Sequence, residues 1–388
     1  MLSPSTRVLI VGAGPVGLTA AIVLRQHGHE VSLVDAQNEG AKTSRAAVIH
    51  PRTLEVLQPY GVTAQLVERG VHTPTFAVRD RDTLLMRVSF ADLATDYPYA
   101  LMISQAETED FLLSRLKELG GTVLRPLTLD RLDQDADGVT ATFDDGQHIR
   151  AEYVLGADGV HSTVRDQAGL GFAGGTYAES FVLADVVLGG TIPPDEVTLY
   201  FSPAGLLVLA PLPDGRHRVV ATLRDAPALP DASVVQDLLD HRGPGEAFTP
   251  VVHRVVWGSR FRVHHRVAES YRDGRLLLAG DSAHVHSPAG GQGMNLGFED
   301  AVDLGERLAS VLEGASPDAL DAYSHDRRPI AQRVVRLAGR LTALATAPVA
   351  LRPVRNAALI AAGRIPSVQR RLARQLAGLA RRPEGISR

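Results

Sequence analysis

Cysteine is absent from all 388 residues. That absence excludes disulfides, thiolate-bound metals and cysteine nucleophiles in one step, and it suits a cytoplasmic protein. Tryptophan occurs once, at Trp257, which leaves no basis for chemistry built on a tryptophan-rich motif. A large excess of either charge is lacking as well, with 40 Lys and Arg against 44 Asp and Glu. The formal net charge of −4 is too near balance for a dedicated nucleic-acid binder. Long apolar runs are lacking too. The best of them, VLIVGAGPVGLTAAIVL from Val8, is short for a membrane span and is broken by three glycines and a proline. It has no small-residue cleavage site after a basic start, so it does not read as a secretory signal. There is no internal repeat and no low-complexity tract. What is present is 45% hydrophobic, ample for a core, at a length that suits two or three domains. Charge is unevenly spread: residues 351–388 carry nine arginines and one acid, Glu384, for a net of +8, which leaves −12 on the rest.

The N-terminus has the pattern of a nucleotide site. RVLIV (Arg7 to Val11) reads as a buried parallel strand, GAGPVG follows at once, and LTAAIVLRQH reads as a helix stopped by Gly28. EVSLVD then reads as a second strand ending on Asp35. In such a unit Gly12 permits the tight turn, Gly14 lets backbone approach a pyrophosphate, and Gly17 lets helix and strand pack closely. Pro15 and Val16 open the helix, whose free N–H groups and dipole suit phosphate. Asp35 can accept hydrogen bonds from ribose hydroxyls, as either NAD or the ADP half of FAD requires. GLGFAG (Gly169 to Gly174) also matches GxGxxG, but no apolar strand leads into it and no acid-tipped strand follows. It is expected to be a loop.

Two later stretches repeat the strand-then-turn theme. EYVLGADGVHSTVR (Glu152 to Arg165) reads as a strand, a Gly/Asp turn around Asp158, and a polar helix start. AGDSAHVHSPAGGQGMN (Ala279 to Asn295) follows the apolar LLL and leads into the helix MNLGFEDAVDLGERLASVL. The second stretch admits three readings. Asp281 with His284 and His286 could hold a metal. Ser282 or Ser287 could be nucleophiles, although no GxSxG elbow is present. The four glycines could cradle a large ligand, with both histidines packed or hydrogen bonded inside the loop.

Taken together, GAGPVG, GADGVHSTVR and GRLLLAGDSAHVHSPAGGQGMNLGFEDA resemble the FAD-dependent aromatic hydroxylases, the class A flavoprotein monooxygenases with the p-hydroxybenzoate hydroxylase fold. Within them the chain looks most like the actinomycete hydroxylases that tailor aromatic polyketides. The resemblance implies an α/β fold: a Rossmann-like FAD-binding domain of the GR2 type, an inserted and mostly antiparallel β-sheet substrate domain, and C-terminal helices. The expected division assigns residues 1–75, 98–171 and 270–345 to FAD, 76–97 and 172–269 to substrate, and 346–388 to a helical tail. It also decides for the cradle. Asp281 would meet the ribityl and pyrophosphate region. Gly290, Gly291 and Gly293 would clear space for the ring, beside Pro288, Met294 and Asn295. The helix starting near Gly293 would aim its N–H groups at the ring edge that gains negative charge on reduction. Arg45 and Gln105 match family positions near the flavin. Asp158 and Arg165 are associated with FAD and NAD(P)H, or else support their own turn.

The implied reaction is hydroxylation of a phenolic, polycyclic polyketide-like molecule. NADPH or NADH reduces FAD, O2 forms a C4a-hydroperoxide, and the ring attacks the distal oxygen. Epoxidation and Baeyer–Villiger insertion stay open, because the same hydroperoxide serves both. A halogenase would need a WxWxIP run and a catalytic lysine. A lipid double-bond reductase and a flavin-binding sensor are the remaining alternatives. No catalytic base is identifiable, and Pro288 is the one residue placed beside the reactive face.

Short apolar runs between 172 and 270, broken by PP, PAG and PDG turns, read as an antiparallel sheet, with SVVQDLLDH as a short helix. Strands near Thr75–Val78 and Leu84–Phe90 are expected to join it. His264, His265, Arg216 and Trp257 are its candidate substrate residues. The tail PSVQRRLARQLAGLARR has an apolar stripe of Val368, Leu372, Leu376 and Leu379, away from Arg370, Arg371 and Arg374. It is expected to dock on the FAD-binding domain, with a membrane or acidic partner as the sharper reading. Many polyketide hydroxylases carry a thioredoxin-like C-terminal domain, and at this length none is expected within these 388 residues. Monomer and homodimer are both compatible with the sequence.

Overall fold

The apolar run STRVLIV forms the strand Ser5–Val11, whose residues Val8 to Ile10 are wholly buried. In the computed structural model, which describes residues 4–40, 46–223, 226–245 and 250–381 (177–179 as backbone only), this strand lies inside a sheet ordered Arg272–Asp273, Leu276–Leu278, His148–Gly156, Ser5–Val11, Val31–Val34, Val123–Leu124. From Leu276–Leu278 to Val123–Leu124 every neighbouring pair is parallel. The hairpin Leu129–Gln134 and Val139–Phe143 adds antiparallel to His148–Gly156. Both faces of the parallel strands are covered, so they read as continuous apolar runs rather than alternating ones.

The helix Pro15–Gln26 starts on a proline, which presets φ and gives up an N–H that has no partner there anyway. It ends before Gly28, which takes the left-handed conformation at φ 82°. Its residues from Gly17 to Leu24 are buried all round, because the sheet lies on one side and the helices Gly293–Leu312 and Gln105–Glu118 on the others. The approach to Gly293–Leu312 is very close. A Cβ on Gly297 would stand 2.7 Å from Val16 Cγ2, and one on Gly305 would stand 2.7 Å from Val23 Cγ1. The helix Gln105–Glu118 begins with a capping box: Ser104 Oγ accepts from Glu107 N at 3.2 Å and donates to Glu107 Oε2 at 2.7 Å.

The second sheet has the order His284–Val285, Val251–Ala268, Phe172–Gly189, Arg216–Leu223, Gly205–Pro211, Glu196–Ser202, Thr75–Asp80, Thr83–Ser89. It is antiparallel except where Glu196–Ser202 meets Thr75–Asp80. The two strands expected near Thr75 and Leu84 do join it. Alternation sorts its faces. Val182, Ala184 and Val186 pack under the helix Ala232–Arg242, while Phe181, Phe201 and Leu206 face the other way, into a cluster with Phe76 and Phe90. Ion pairing is buried here as well. Arg218 binds Asp185 through both oxygens at 2.7 and 2.8 Å and donates to Ala46 O at 2.8 Å.

Two expectations need correction. GLGFAG is a loop only through Gly171; Phe172 to Gly174 already open the strand Phe172–Gly189, pairing with Arg266 to Ala268. The second concerns the tail. Helices Arg352–Gly363 and Pro366–Leu376 pack chiefly over Thr83–Ser89, the outer strand of the second sheet, and their C-terminal end reaches the residues expected to hold FAD, where Leu376 O accepts from Gln292 Nε2 and Ala377 O from Arg52 N. An exposed strand edge invites pairing with other chains, and the tail covers this one. Ala373, Leu376, Ala377 and Leu379 are buried in the cluster that holds Leu85, Met86 and Val88, so the apolar stripe is spent on packing, except for Val368, which is exposed. Among the described residues no single helix is long and apolar enough to cross a membrane.

The contact between Pro15–Gln26 and Gly293–Leu312 yields a stability prediction. Gly297→Val should lower the urea unfolding free energy by about 1–3 kcal/mol through overpacking. Adding Val16→Ala should return part of that loss, because it removes the methyl that the new side chain strikes.

Candidate functional site

Twelve of the fifteen residues expected at the ligand, Gly12, Gly14, Pro15, Val16, Gly17, Asp35, Gln105, Asp158, Pro288, Gly291, Gly293 and Asn295, fall into two groups. Of the other three, Arg45 lies outside the described residues, and Asp281 and Met294 are treated below. The first group surrounds a cavity of about 360 Å³ at the C-terminal end of the parallel strands. Gly12, Gly14, Asp35, Gln105 and Asp158 all line it, with Glu109, Thr128, Gly159, His161 and Thr163. Crevices at this end of such sheets are where ligands bind.

Each member of that group has a local reason for its place. Gly12 takes φ +100°, and a Cβ there would stand 2.4 Å from Ala157 O. Gly17 is tighter still: its Cβ would stand 1.9 Å from Gly12 O. Gly14 meets nothing within 4 Å, so its missing side chain leaves room on the cavity side. The helix that starts at Pro15 has no side-chain cap and no acid in its first turn, which leaves its N-terminus available to an anion. Asp35 is held by its own surroundings, with Oδ2 accepting from Ala13 N at 2.7 Å and Oδ1 from Gln37 N at 2.8 Å. Gln105 Nε2 donates to Glu109 Oε1 at 2.8 Å, and Gln105 Oε1 accepts from Ala46 N at 3.3 Å. Val16 points elsewhere, wedged between Gly280 and Gly297.

The GADG turn is chiefly a brace. Asp158 Oδ1 accepts from Ser162 Oγ at 2.6 Å and Oδ2 from Val164 N at 3.1 Å, so its carboxylate holds Ser162, the residue that caps the helix Thr163–Gln167, and takes up one N–H of its first turn. Burial pushes the Asp158 carboxyl up. Arg165 donates to Ser282 O and Val160 O, each at 3.2 Å, and lies 4.1 Å from the Phe172 ring centroid. It fastens the GADG turn to the GDS turn.

The second group lies on residues 276–295. Leu276–Leu278 belong to the parallel sheet and His284–Val285 to the antiparallel one, so this stretch crosses from one to the other. Gly280 makes the crossing turn at φ +66°, with Val16 pressed against it. Asp281 is exposed on that turn and is not part of the cavity wall. Pro288 O accepts from Gly291 N at 2.9 Å. Gly290 and Gly291 take φ +87° and +61°, and a Cβ on Gly291 would stand 2.1 Å from Val48 Cγ1. Gly293 opens the helix Gly293–Leu312, which again has no side-chain cap and no acid in its first turn. Met294 packs half-buried on the main core. Asn295 is buried and fully used: Oδ1 accepts from His50 N at 2.7 Å, and Nδ2 donates to Val48 O and Gly291 O at 2.9 and 2.7 Å.

The three residues of the metal reading do not converge. His284 Nε2 meets Asp300 Oδ2 at 2.5 Å, His286 Nδ1 meets Ser287 O at 2.8 Å, and Asp281 faces solvent. Ser282 Oγ donates to Gly156 O at 2.7 Å, and Ser287 Oγ pairs with Thr342 Oγ1 at 2.7 Å, so each hydroxyl is engaged by a neutral oxygen and not by a base. Of the strand candidates, Arg216 sits in an ionic cluster with Asp214 and Glu107, and His264 pairs with Thr176. Trp257 pairs with Asp185 across the sheet, and the His265 ring lies against Gly175. None of these four lines the cavity.

Several buried polar residues around the cradle had no signal in the sequence beyond their type. His50 Nε2 donates to Gly290 O at 2.9 Å, and Gln292 Nε2 donates to Gly290 O at 3.1 Å and to Leu376 O at 2.9 Å. Arg327 binds Asp300 Oδ1 at 2.7 Å and Glu299 Oε2 at 3.5 Å. Burial works to raise the Asp300 carboxyl, but Arg327 and His284 outweigh it and hold it below the usual carboxylate range. Glu299 and Asp300 were visible as an acid pair in FEDA; their partners were not.

His50 supplies a pH prediction. It is fully buried, its Nδ1 has no partner, and burial, aided by the Arg381 charge, lowers its pKa from 6.5 to about 4. The unfolded chain therefore binds the proton first, and stability present above about pH 6.5 is lost as pH falls towards 4. His50→Asn should flatten that part of the stability-versus-pH curve, by on the order of 3 kcal/mol at its acid end. Urea unfolding at pH 7 and pH 4.5 measures it.

Comparison with known proteins agrees with this geometry. The sequence pattern of the FAD binding domain family matches residues 5–338. The 6-methylpretetramide 4-monooxygenase of Streptomyces rimosus is 38% identical over 357 residues, which cover 89% of this chain and 64% of that protein. This chain thus spans about two thirds of the length of the curated relatives it matches. Among solved structures, p-nitrophenol 4-monooxygenase PnpA from Pseudomonas putida DLL-E4 superposes with a TM-score of 0.86 at 30% identity, covering 98% of both chains. The OxyS anhydrotetracycline hydroxylase from Streptomyces rimosus superposes with a TM-score of 0.80 at 33% identity, covering 99% of this chain and 78% of that one.

Proposed function

The chain belongs to the FAD binding domain family, and from that premise we propose that it is a flavin-dependent monooxygenase that hydroxylates an aromatic, phenolic and polyketide-like small molecule. NADPH or NADH and O2 are its co-substrates in this reading. The observation that carries it is the pairing of two uncapped helix N-termini, at Pro15 and Gly293, with glycines that clear the space before each. One suits a pyrophosphate and the other suits a ring that gains negative charge.

The chemistry that bound FAD supplies is transfer of electrons from NAD(P)H to O2 and delivery of one oxygen atom to an electron-rich ring. The protein's part is to bind, orient and exclude water. Gly12, Gly14 and the backbone at Pro15 to Gly17 hold the pyrophosphate, and Asp35 accepts from ribose hydroxyls with the lone pairs its loop leaves free. Gln105, with Arg45 in the preceding segment, serves the middle of the cofactor. Gly291, Gly293, Met294 and Asn295 hold the ring by backbone, with Pro288 beside its reactive face. Asp158 acts by bracing the turn, and Asp281 serves from its edge. In this reading residues 1–75, 98–171 and 270–345 carry the cofactor, 76–97 and 172–269 the substrate, and the apolar sheet face around Phe76, Phe90 and Phe181 keeps water from the reaction.

Two measurements test this. Asp35→Ala should weaken FAD binding ten- to a hundredfold, the loss of a charged hydrogen bond worth about 1.5–3 kcal/mol, read by quenching of flavin fluorescence. With a panel of polycyclic phenols under labelled oxygen gas, one compound should accelerate NADPH loss and gain one labelled atom. A compound that gained two hydrogens and no oxygen would replace the hydroxylase by a reductase.

A further inference from the structure

The loop Gly290–Gly291–Gln292–Gly293 has three glycines, and such backbone is costly to order. Gln292 is the loop's own one side chain, while His50 and Asn295 hold the Gly290 and Gly291 carbonyls from outside it. That side chain is 1% exposed and its amide is fully engaged. Oε1 accepts from Arg381 Nη1 at 2.9 Å, while Nε2 donates to Leu376 O at 2.9 Å and to Gly290 O at 3.1 Å. Two of those three partners belong to the C-terminal segment.

Arg381 is itself fixed from several sides. Its Nη2 and Nε reach Glu299 Oε1 at 2.6 and 3.1 Å, one and a half turns into the helix that Gly293 opens, and its side chain is only 9% exposed. Gly378 turns the chain at φ +76°, where a Cβ would stand 2.9 Å from Arg52 Cβ and 2.5 Å from Arg381 Nη2. Arg52 N donates to Ala377 O at 3.1 Å. The arginine thus arrives at Gln292 and Glu299 on a rigid approach. Its charge is felt across the cradle, since it is among the causes that keep both His50 and His286 neutral, after burial itself.

We propose that Arg381 is a positioning residue of the flavin cradle: it fixes Gln292, and through it the Gly290–Gly293 backbone, and it places a cation where the reduced ring becomes anionic. This rests on the reading of residues 288–295 as the flavin site. A role limited to neutralising Glu299 would give stability alone. A positioning role also moves the cofactor's own properties. The reduced anion loses a stabilising charge when Arg381 is removed, so the flavin potential must fall.

The test uses the full chain with FAD. Arg381→Met should weaken FAD binding about tenfold or more and make the two-electron midpoint potential more negative. Arg381→Lys keeps the charge but cannot span Glu299 and Gln292 together, so it should restore the potential and leave binding weakened. Gln292→Ala should weaken binding as well, and combining it with Arg381→Met should add little further. Arg374→Gln, exposed on the same tail, should change neither quantity. If Arg381→Met lowers the thermal midpoint so far that it cannot be assayed, Arg381→Lys and Gln292→Ala decide alone: wild-type binding in both overturns the proposal. Wild-type affinity and potential in Arg381→Met overturn it too, while the FAD reading stands. A wild-type chain that takes up no FAD sinks that reading and this proposal together.

Discussion

The site depends on one short passage of backbone. Leu276–Leu278 are bonded into the parallel sheet and His284–Val285 into the antiparallel sheet, so the residues between them must cross from one layer to the other. Gly280 allows the crossing at positive φ, and the Val16 side chain fills the space that a larger residue there would need. The same valine meets Gly297. One contact therefore relates the Gly12 loop, the crossing turn and the helix that begins at Gly293. If that relation slipped, the two uncapped helix N-termini at Pro15 and Gly293 would lose their present relation.

Beneath the cradle lies a set of charges held away from water. Glu299 and Asp300 face Arg327 and Arg381, with His284 on the remaining Asp300 oxygen, and all are buried or nearly so. The two carboxylates and two guanidiniums balance. Such sets contribute little net stability, because desolvation offsets most of the attraction. Their effect is on geometry: each partner is satisfied in one arrangement, and losing any one strands another in a dry interior. Arg218 and Asp185 do the same for the second sheet, tying it through Ala46 to the chain that leads to His50.

The tail illustrates how an amphipathic pattern can be read correctly and placed only in part. The stripe through Leu372, Leu376 and Leu379 is real, and it packs both with Leu85, Met86 and Val88 of Thr83–Ser89 and with Ala47 and Ala345. A stripe states that a face will be covered. It carries no information on which of several apolar surfaces will cover it.

What the sequence determined by itself is what local chemistry determines. A strand, a glycine turn, a proline-started helix and an acid-tipped strand follow from residues within one turn or a few strand positions of each other, so Gly12, Gly14, Gly17 and Asp35 were legible as one unit. The glycines of residues 290–293 announced a tight turn for the same reason, and Gly290 and Gly291 do take positive φ. Tertiary structure alone decided which buried polar groups would meet. His50 and Asn295 are 245 residues apart, Gln292 and Leu376 are 84, and Arg381 and Gln292 are 89. It also turned Asp158 into a brace for the capping Ser162 and left Asp281 on an exposed turn, although both carry the same side chain in similar turns. The physical reason is that a buried hydrogen bond or ion pair depends on distance and desolvation in space, and neither has a period along the chain.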